Sequence, residues 1–255
     1  MKKEKELDKK ELDRRNFLKI GGAVMAGTAL SYGLPLLSAP KLHASGEEEV
    51  LTGKRWGMVV DAGKCVAGCT ACTQACRKEN NVAFHGRADI DIHWIRIATI
   101  HRKVPGAKLI TAPLMCNHCD NPPCALVCPV KATYKRDDGI VIVDKHRCIG
   151  CRYCLIACPY NMRMFNFKEN HEWPNKELPK RMHGVSESCD FCYPRVDKGL
   201  LPVCVEACKA SGHGALTFGN INDPKSDAAL LIANNPVHGL REDLGTKPKV
   251  YYIGL

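Results

Sequence analysis

The sixteen cysteines of this 255-residue chain fall into four sets of four, and none is left over. The cysteines within a set are closely spaced, and longer cysteine-free stretches separate the sets. Called quartets one to four in chain order, the sets are Cys65/Cys69/Cys72/Cys76, Cys116/Cys119/Cys124/Cys128, Cys148/Cys151/Cys154/Cys158 and Cys189/Cys192/Cys204/Cys208. This repetition of thiols predicts that the chain folds around metal centres.

Quartet three has the spacing of a cluster-binding loop. It reads C-x2-C-x2-C-x3-C and ends in Cys158-Pro159, which resembles the cysteine run of bacterial ferredoxins. Three thiolates on one tight loop can reach three irons of a [4Fe–4S] cubane, while the fourth iron faces away. The last cysteine of each run therefore serves the cluster of a partner run. We expect four [4Fe–4S] clusters, with the quartets working in couples.

Disulfides and zinc are the alternative explanations of the cysteines. An even cysteine count suits the disulfides of an exported protein, and C-x2-C pairs occur in zinc ribbons. A disulfide framework does not need three cysteines within the seven residues from Cys148 to Cys154. A zinc ribbon uses two separated pairs rather than quartets ending in Cys-Pro. The spacing therefore favours iron–sulfur clusters.

The couples follow from position along the chain. Quartets two and three both end in Cys-Pro and lie close together, so they are natural partners, and quartets one and four pair by elimination. The expected ligands are Cys65, Cys69, Cys72 and Cys208 for cluster 1; Cys189, Cys192, Cys204 and Cys76 for cluster 2; Cys116, Cys119, Cys124 and Cys158 for cluster 3; Cys148, Cys151, Cys154 and Cys128 for cluster 4.

The pattern predicts an α+β fold with two ferredoxin-like units, the inner inserted in the outer, and sparse secondary structure around four cubane clusters. Short strands are expected at 55–61, 108–115, 140–143 and 215–218. With only 6% aromatic residues, the clusters must form much of the core. The expected parts are a signal at 1–44, the first part of the outer unit at 45–107, the inner unit at 108–180, the second part of the outer unit at 181–220 and a C-terminal tail at 221–255.

Residues 1–44 resemble a twin-arginine export signal. Arg14 and Arg15 stand just before Phe17-Leu18-Lys19 and an apolar, Gly- and Ala-rich stretch at 20–37, and a small-residue cleavage site follows Ala44. The alternative is a basic segment before a membrane anchor, for which the apolar stretch is marginally short. The twin-arginine route carries folded proteins, as clusters assembled in the cytoplasm require. We therefore expect the protein at the periplasmic face of the cytoplasmic membrane.

Other chemistry is not indicated. The formal charge of +10 does not predict nucleic-acid binding, because the signal carries part of it and cluster thiolates offset the rest. The chain contains no C-x-x-C-H haem motif and no G-x-G-x-x-G between a strand and a helix. His118 lies inside a cysteine loop and is expected to be a loop residue rather than a ligand. We predict no catalytic residue.

Quartet one departs from the common spacing. It opens with Cys65-x3-Cys69, where two intervening residues are usual, and we expect Gly68 to accommodate the extra one. A full cubane is still expected, because no cysteine is missing. A three-iron cluster at this loop is the alternative.

Segments 116–124, 148–160, 189–193 and 204–208 together resemble the iron–sulfur electron-transfer subunits of the complex iron–sulfur molybdoenzyme class and of related membrane complexes. Within that class, the signal, the opening Cys65-Val66-Ala67-Gly68-Cys69 and the segment 239–252 are most similar to the periplasmic-side iron–sulfur subunit of the Dsr membrane complex of sulfate- and sulfur-metabolising prokaryotes.

This resemblance implies a non-catalytic subunit that relays single electrons between an integral membrane quinone-interacting subunit and a second redox partner. It further implies a multihaem cytochrome c as that partner and a link to sulfate or sulfur respiration. One alternative is an electron-transfer subunit of a molybdopterin oxidoreductase of the polysulfide, DMSO or nitrite reductase type. The other is an exported module that uses its clusters structurally or as a sensor.

Overall fold

A computed structural model of the protein describes residues 53–87, 89–101, 106 and 108–255. The predicted export signal at 1–44 lies outside the described residues. Within the part of the chain that is described, no helix is both long and apolar enough to cross a membrane.

Strands and helices are short throughout the described chain. The strands are β1 (Trp56–Asp61), β2 (Ile95–Ile100), β3 (Ile110–Met115), β4 (Thr133–Lys135), β5 (Val141–Val143), β6 (Met164–Phe165), β7 (Ser186–Glu187), β8 (Leu216–Asn220), β9 (Val237–Gly239) and β10 (Val250–Ile253). The helices are α1 (Ala71–Glu79), α2 (Pro123–Leu126), α3 (Tyr153–Ala157), α4 (Tyr193–Val196), α5 (Val203–Ala210) and α6 (Asp227–Asn234), followed by a 3-10 turn at Glu242–Leu244.

A four-stranded sheet in the order β8-β1-β10-β9 joins distant parts of the sequence. β1 runs parallel to β10 and antiparallel to β8, so that Met58 is paired with both Val250 and Phe218. β1 leads into quartet one, and β8 follows quartet four. The backbone N–H of Asp61 donates to the carbonyl of Ala215 at 2.8 Å just beside the cysteines. The sheet therefore brings the ends of these two quartets together.

Three hairpins complete the strand pairing of the described residues: β2 with β3, β4 with β5, and β6 with β7. The second strand of each hairpin leads into a cysteine loop. β3 ends at Met115 immediately before Cys116, β5 precedes quartet three, and β7 precedes Cys189. Each hairpin thus fixes the direction from which one quartet begins.

Two helices carry cysteines at a spacing of four residues, which places both thiols of each helix on one face. These pairs are Cys72 and Cys76 on α1, and Cys204 and Cys208 on α5, and all four residues are buried. α1 and α5 pack against each other. Quartets one and four therefore meet along a shared helix interface.

The segment at 221–255, expected as a tail, contributes α6, β9 and β10. α6 begins with a capped turn, in which the Ser226 hydroxyl oxygen accepts the N–H of Ala229 at 3.1 Å. Lys249, fully buried, donates its backbone N–H to the Asn117 carbonyl at 2.8 Å and pairs its ammonium with Asp120 at 2.9 Å. The segment thus buries a strand in the central sheet and holds the loop of quartet two.

The predicted mixed fold with sparse secondary structure is confirmed, and the strands expected at 55–61, 108–115, 140–143 and 215–218 are present as β1, β3, β5 and β8. The main buried core contains cysteines beside apolar side chains, as expected of a chain poor in aromatic residues. The division into an inner and an outer ferredoxin-like unit remains a prediction.

Candidate metal centres

All sixteen cysteines are free thiols. They gather into four groups, each made of three cysteines from one quartet and the last cysteine of another. We number the groups as the expected clusters were numbered. Groups 1, 3 and 4 surround cavities, and the four thiols of group 2 interact electrostatically with one another.

Group 1 surrounds a cavity of about 330 Å³, counted with its open mouth, and consists of Cys65, Cys69, Cys72 and Cys208. The Cys65–Cys69 loop forms a turn in which the N–H of Cys69 donates to the Val66 carbonyl at 3.2 Å. Gly68 has a φ of +82°, which glycine adopts without strain. The extra residue of the Cys65-x3-Cys69 spacing is therefore accommodated at Gly68, and both cysteines line the cavity.

Group 2 consists of Cys76, Cys189, Cys192 and Cys204, and all four are buried. Burial raises the pKa of Cys76, Cys189 and Cys204 well above the usual value, and the neighbouring thiolates raise it further. Burial also raises the pKa of Cys192 to about 11. The side-chain amide of Asn80 donates to the sulfurs of Cys192 and Cys76 at 3.4 and 3.8 Å.

Group 3 surrounds a cavity of about 310 Å³ and consists of Cys116, Cys119, Cys124 and Cys158. Asn117, Tyr160 and Arg163 also line this cavity. Arg163 is buried, and its Nη2 donates to the sulfur of Cys124 at 3.1 Å. Burial alone would lower the pKa of Arg163, but the charges of Cys124, Cys116 and Cys154 outweigh burial and raise it. The guanidinium is thus a buried cation among thiols.

Group 4 surrounds a cavity of about 300 Å³ and consists of Cys128, Cys148, Cys151 and Cys154. Cys151 is the one exposed cysteine of the chain. Burial alone would raise the pKa of Cys128, but the backbone N–H groups of Thr133, Ala132 and Val130 lower it. The sulfur of Cys154 lies 3.2 Å from the Ser186 hydroxyl. Backbone donors at Cys128 therefore favour its thiolate form.

The groups lie in series from 1 to 4. Groups 1 and 2 are neighbours: Cys72 of group 1 is close enough to Cys204 of group 2 for its charge to raise the pKa of Cys204. Groups 2 and 3 adjoin at two rings, since His118 of the group 3 loop stacks on Phe191 of the group 2 loop with centroids 3.6 Å apart. Groups 3 and 4 adjoin through Cys124 and Cys154, which share a small buried cluster.

His118 is held by contacts to protein atoms. Its Nδ1 accepts the backbone N–H of Val141 at 3.0 Å, which places the ring proton on Nε2. Burial, followed by the charges of Lys249 and Arg163, lowers the pKa of His118 well below its usual value, so the ring is neutral. This environment agrees with its expected place as a loop residue.

The donor sets fit metal–sulfur clusters. Four neighbouring thiols that repel one another as thiolates need cationic metal to hold all of them deprotonated. Among the described residues, no three or more His, Cys, Asp or Glu side chains are arranged to hold a single metal ion. In a cubane each of the four irons takes one thiolate, so that the thiolates surround the cluster. Four cysteines around one cavity provide such a set.

Sequence reasoning missed Asn80, Asn117 and Arg163. Asn80 and Arg163 stand outside the cysteine motifs, and Asn117 lies between Cys116 and Cys119, where its residue type carries no signal of its own. Arg163 had one recognisable signal, because it stands between Met162 and Met164 in a segment entering β6. A charged residue between two apolar neighbours could have pointed to a buried cation at this position.

Family comparisons agree with the cysteine pattern. A family described as "4Fe-4S dicluster domain" matches residues 107–221, which include quartets two, three and four. A family described as "TAT (twin-arginine translocation) pathway signal sequence" matches residues 11–31. The chain is therefore exported by the twin-arginine pathway to the periplasmic side, as predicted.

Three relatives are subunits of oxidoreductases. The chain is 42% identical to the Hdr-like menaquinol oxidoreductase iron–sulfur subunit 1 of Archaeoglobus fulgidus, over 96% of this chain and 98% of that protein. It is 36% identical to a tetrathionate reductase subunit of Salmonella typhimurium, over 95% of this chain and 88% of that one. It is 40% identical to a selenate reductase subunit of Mesobacillus selenatarsenatis, over 78% of this chain and 72% of that one.

These matches confirm several [4Fe–4S] clusters as cofactors and a role in electron transfer without a catalytic site. The matches to the A. fulgidus and S. typhimurium relatives extend over nearly the whole chain and include the cysteine groups and the segment after residue 220. The chain belongs to the family of ferredoxin-type iron–sulfur electron-transfer subunits of oxidoreductase complexes.

Proposed function

We propose that groups 1 to 4 each bind one [4Fe–4S] cluster, with the last cysteine of each quartet serving the partner quartet. Two ferredoxin-like units then result, an outer one with groups 1 and 2 and an inner one with groups 3 and 4. Support comes from the cavities lined by three cysteines of one quartet and one of another. When bound, the clusters exchange single electrons, and the protein sets their spacing, burial and charge.

The observation that carries the proposed relay is the burial of the cysteines: those of the two middle groups, 2 and 3, are more buried than those of the two end groups, 1 and 4. All four cysteines of group 2 are buried, and in group 3 only Cys158 is partly exposed. Cys65 and Cys69 of group 1 are partly exposed, and in group 4 Cys151 is exposed. Electrons therefore enter and leave at groups 1 and 4 and pass through the interior between them.

An apolar surface beside group 4 supports docking of an integral membrane quinone-interacting subunit there. α2 and α3 pack against each other, and Leu126 and Ile156 at their outer side are 82% and 84% exposed. Ile149 and Tyr153, next to Cys151, are 64% and 57% exposed. We name these four residues the group 4 patch. Exposed apolar side chains gathered at one end of a protein are typical of an interaction site.

The second redox partner, a multihaem cytochrome c, docks at the group 1 end in this proposal. Electrons pass from menaquinol through groups 4, 3, 2 and 1 in a complex of sulfate or sulfur respiration. The name of the A. fulgidus relative, a menaquinol oxidoreductase subunit, supports the quinol end. The respiratory link and the cytochrome rest on the sequence resemblance.

The second candidate is the same relay delivering electrons to a molybdopterin catalytic subunit. It is favoured by the likeness to the tetrathionate reductase relative, which extends over 95% of this chain. Both candidates keep the same cysteines and the same electron path. They differ in the protein that copurifies at the group 1 end.

The test is purification of the assembled complex from gently solubilised membranes. We expect an integral membrane subunit to copurify, and a menaquinol analogue to reduce the clusters, as followed by EPR. A double variant L126E/I156E should lose the membrane subunit but keep its iron. The control variant is L230E, because Leu230 is an exposed apolar residue on α6, and it should keep the membrane subunit.

Loss of the membrane subunit from both variants, or from neither, would contradict docking at the group 4 patch. Clusters in the complete complex that never respond to quinol would contradict the relay. A molybdopterin protein in the purified complex would favour the second candidate.

A further inference from the structure

Arg163 is a buried cation without a carboxylate partner among the described residues. Arg163 is 4% exposed, and its side chain forms none of the ion pairs in the described chain. The opposite charges near it are thiolates: Cys124 and Cys116 of group 3, and Cys154 of group 4. Burying an unpaired charge is costly, so the guanidinium must be compensated by the charge of the metal centres.

The contacts of Arg163 are incomplete without a cluster. Nη2 donates to the Cys124 sulfur at 3.1 Å, whereas the buried Nη1 finds no hydrogen-bond partner in the described part of the protein. Arg163 lines the group 3 cavity. The unpaired donor therefore belongs to a side chain that faces the space between the four cysteines.

Asn117 provides a second, independent observation at the same cavity. It is 1% exposed and lines the group 3 cavity, and neither atom of its side-chain amide has a hydrogen-bond partner among the described residues. Buried amides are nearly always hydrogen-bonded, and an unsatisfied one calls for an explanation. A sulfide-rich cluster in the cavity would accept from its N–H group.

We propose that Arg163, assisted by Asn117, raises the reduction potential of the group 3 cluster and, to a smaller extent, that of group 4. Reduction adds one electron and makes or breaks no bond, and it takes the cluster with its four thiolates from about −2 to about −3 in charge. A fixed positive charge and N–H donors stabilise the more negative form. Group 4 responds less, because Arg163 contacts Cys124 and reaches group 4 through the charge of Cys154 alone.

This inference rests on the proposed cluster in each group and adds the order in which the clusters are reduced. The clusters of groups 3 and 4, which lie at the end of the series that carries the group 4 patch, are the first that a mild reductant such as a quinol reduces. Arg163 thus acts on the reduction potential through its charge and is not a ligand of iron.

The experiment is an EPR-monitored redox titration of the purified complex carrying R163Q, R163K, N117L or the control R87Q. Glutamine removes the charge of Arg163 and keeps much of its length. Leucine matches the shape of asparagine without its donors. Arg87 is the control, since it is an exposed arginine that pairs with the exposed Asp89 and lines none of the three cysteine cavities. Iron and acid-labile sulfide are measured on every sample.

We expect R163Q to shift the reduction equilibrium of one of the four clusters at least tenfold toward the oxidised form. For one electron this shift lowers the midpoint potential by about 59 mV. A second midpoint should fall by less and two should not change. R163K should cause a smaller fall and N117L a smaller one again, while R87Q should leave all four unchanged.

If R163Q fails to assemble its cluster, R163K and N117L decide the question in proteins that keep their iron. Unchanged midpoints in both, or equal shifts at all four centres, would overturn the inference. Wild-type protein with fewer than four clusters by iron and sulfide analysis would instead count against the proposed cofactor content.

Discussion

Groups 2 and 3 each consist of four cysteine thiols, but the charged side chains beside them are opposite in sign. Beside group 2 lie two carboxyl groups, that of the buried Glu187 and that of the half-buried Asp190, and desolvation raises the pKa of Asp190 to about 6. Beside group 3 lies the buried guanidinium of Arg163. Because net charge and hydrogen bonds set cluster potentials over a wide range, identical ligands do not imply equal potentials. The fold thus separates the binding of a cluster from the setting of its potential.

The two groups meet at one aromatic contact. Phe191 stacks on His118 at 3.6 Å and packs edge-on against Phe218 at 5.2 Å. Both His118 and Phe191 come from the loop between two cysteines of their own group. The contact therefore fixes the distance between groups 2 and 3, and in the proposed relay an electron crossing between these two groups passes beside it.

The largest effect is expected where a ligand is removed, and it tests how the groups are built. C76S should remove the group 2 cluster, about four of roughly sixteen iron atoms, although Cys76 stands in quartet one. C76S/C204S should lose no more iron than C76S alone, because both ligands serve one centre. C76S/C69S should lose twice as much, because Cys69 serves group 1.

Iron and acid-labile sulfide analysis of anaerobically purified protein measures these losses. The matched comparison for group 3 is C158S with C124S, which should also be non-additive. Additive losses in C76S/C204S would show that Cys76 and Cys204 bind different centres, and would break the comparison of groups 2 and 3.

The contact between the groups should show the next largest effect. F191A removes a ring that is 1% exposed, and it should lower the free energy of unfolding by about 3–5 kcal/mol, the usual cost of deleting a buried phenylalanine. Anaerobic urea unfolding measures it. F167A, at a residue 54% exposed, is the control and should cost far less. Equal costs for both variants would mean that the rings at this contact do not hold the two loops together.

The sequence predicts the ligands better than their surroundings. Cysteine spacing and the Cys128-Pro129 and Cys158-Pro159 pairs are local signals, and the strands entering quartets one to three are visible as apolar runs. Arg163 and Asn117 acquire their importance from a cavity formed by two separate segments. Asp190 stands between cysteines in the sequence, but its burial depends on tertiary packing. Contacts between distant residues leave no periodic signal in one sequence.

The part played by β10 was missed for a similar reason. Val250–Ile253 is a short run near the end of the chain, and its partner strand β1 lies about two hundred residues earlier. A parallel pairing at that separation leaves no turn motif to reveal it. The ion pair of Lys249 with Asp120 likewise joins residues that the sequence places 129 positions apart.

Charge removal beside group 2 should have the opposite sign to R163Q. D190N keeps an oxygen that can accept the backbone N–H of Cys192, which donates to the aspartate at 2.9 Å, and it removes the carboxylate charge. One midpoint potential should rise by up to about a tenfold shift of the equilibrium, because the reduced cluster is less repelled. D243N, an exposed acid, is the control. A fall, or an identical rise in D243N, would contradict the assigned difference between the groups.

The smallest effect is expected from the neutral amide of group 2, and it separates charge from hydrogen bonding. N80L removes donors at 3.4 and 3.8 Å from two sulfurs, so the group 2 midpoint should fall. The fall should be smaller than the fall of the group 3 midpoint in R163Q, since a neutral donor stabilises a sulfur less than a cation does. The variant also loses the bond from the Asn80 amide to the Cys76 carbonyl, at a cost of about 1 kcal/mol in unfolding free energy. Redox titration and urea unfolding of the same sample measure both terms. If N80L moved its midpoint as far as R163Q moves that of group 3, hydrogen bonds rather than buried charge would set the difference between the two groups.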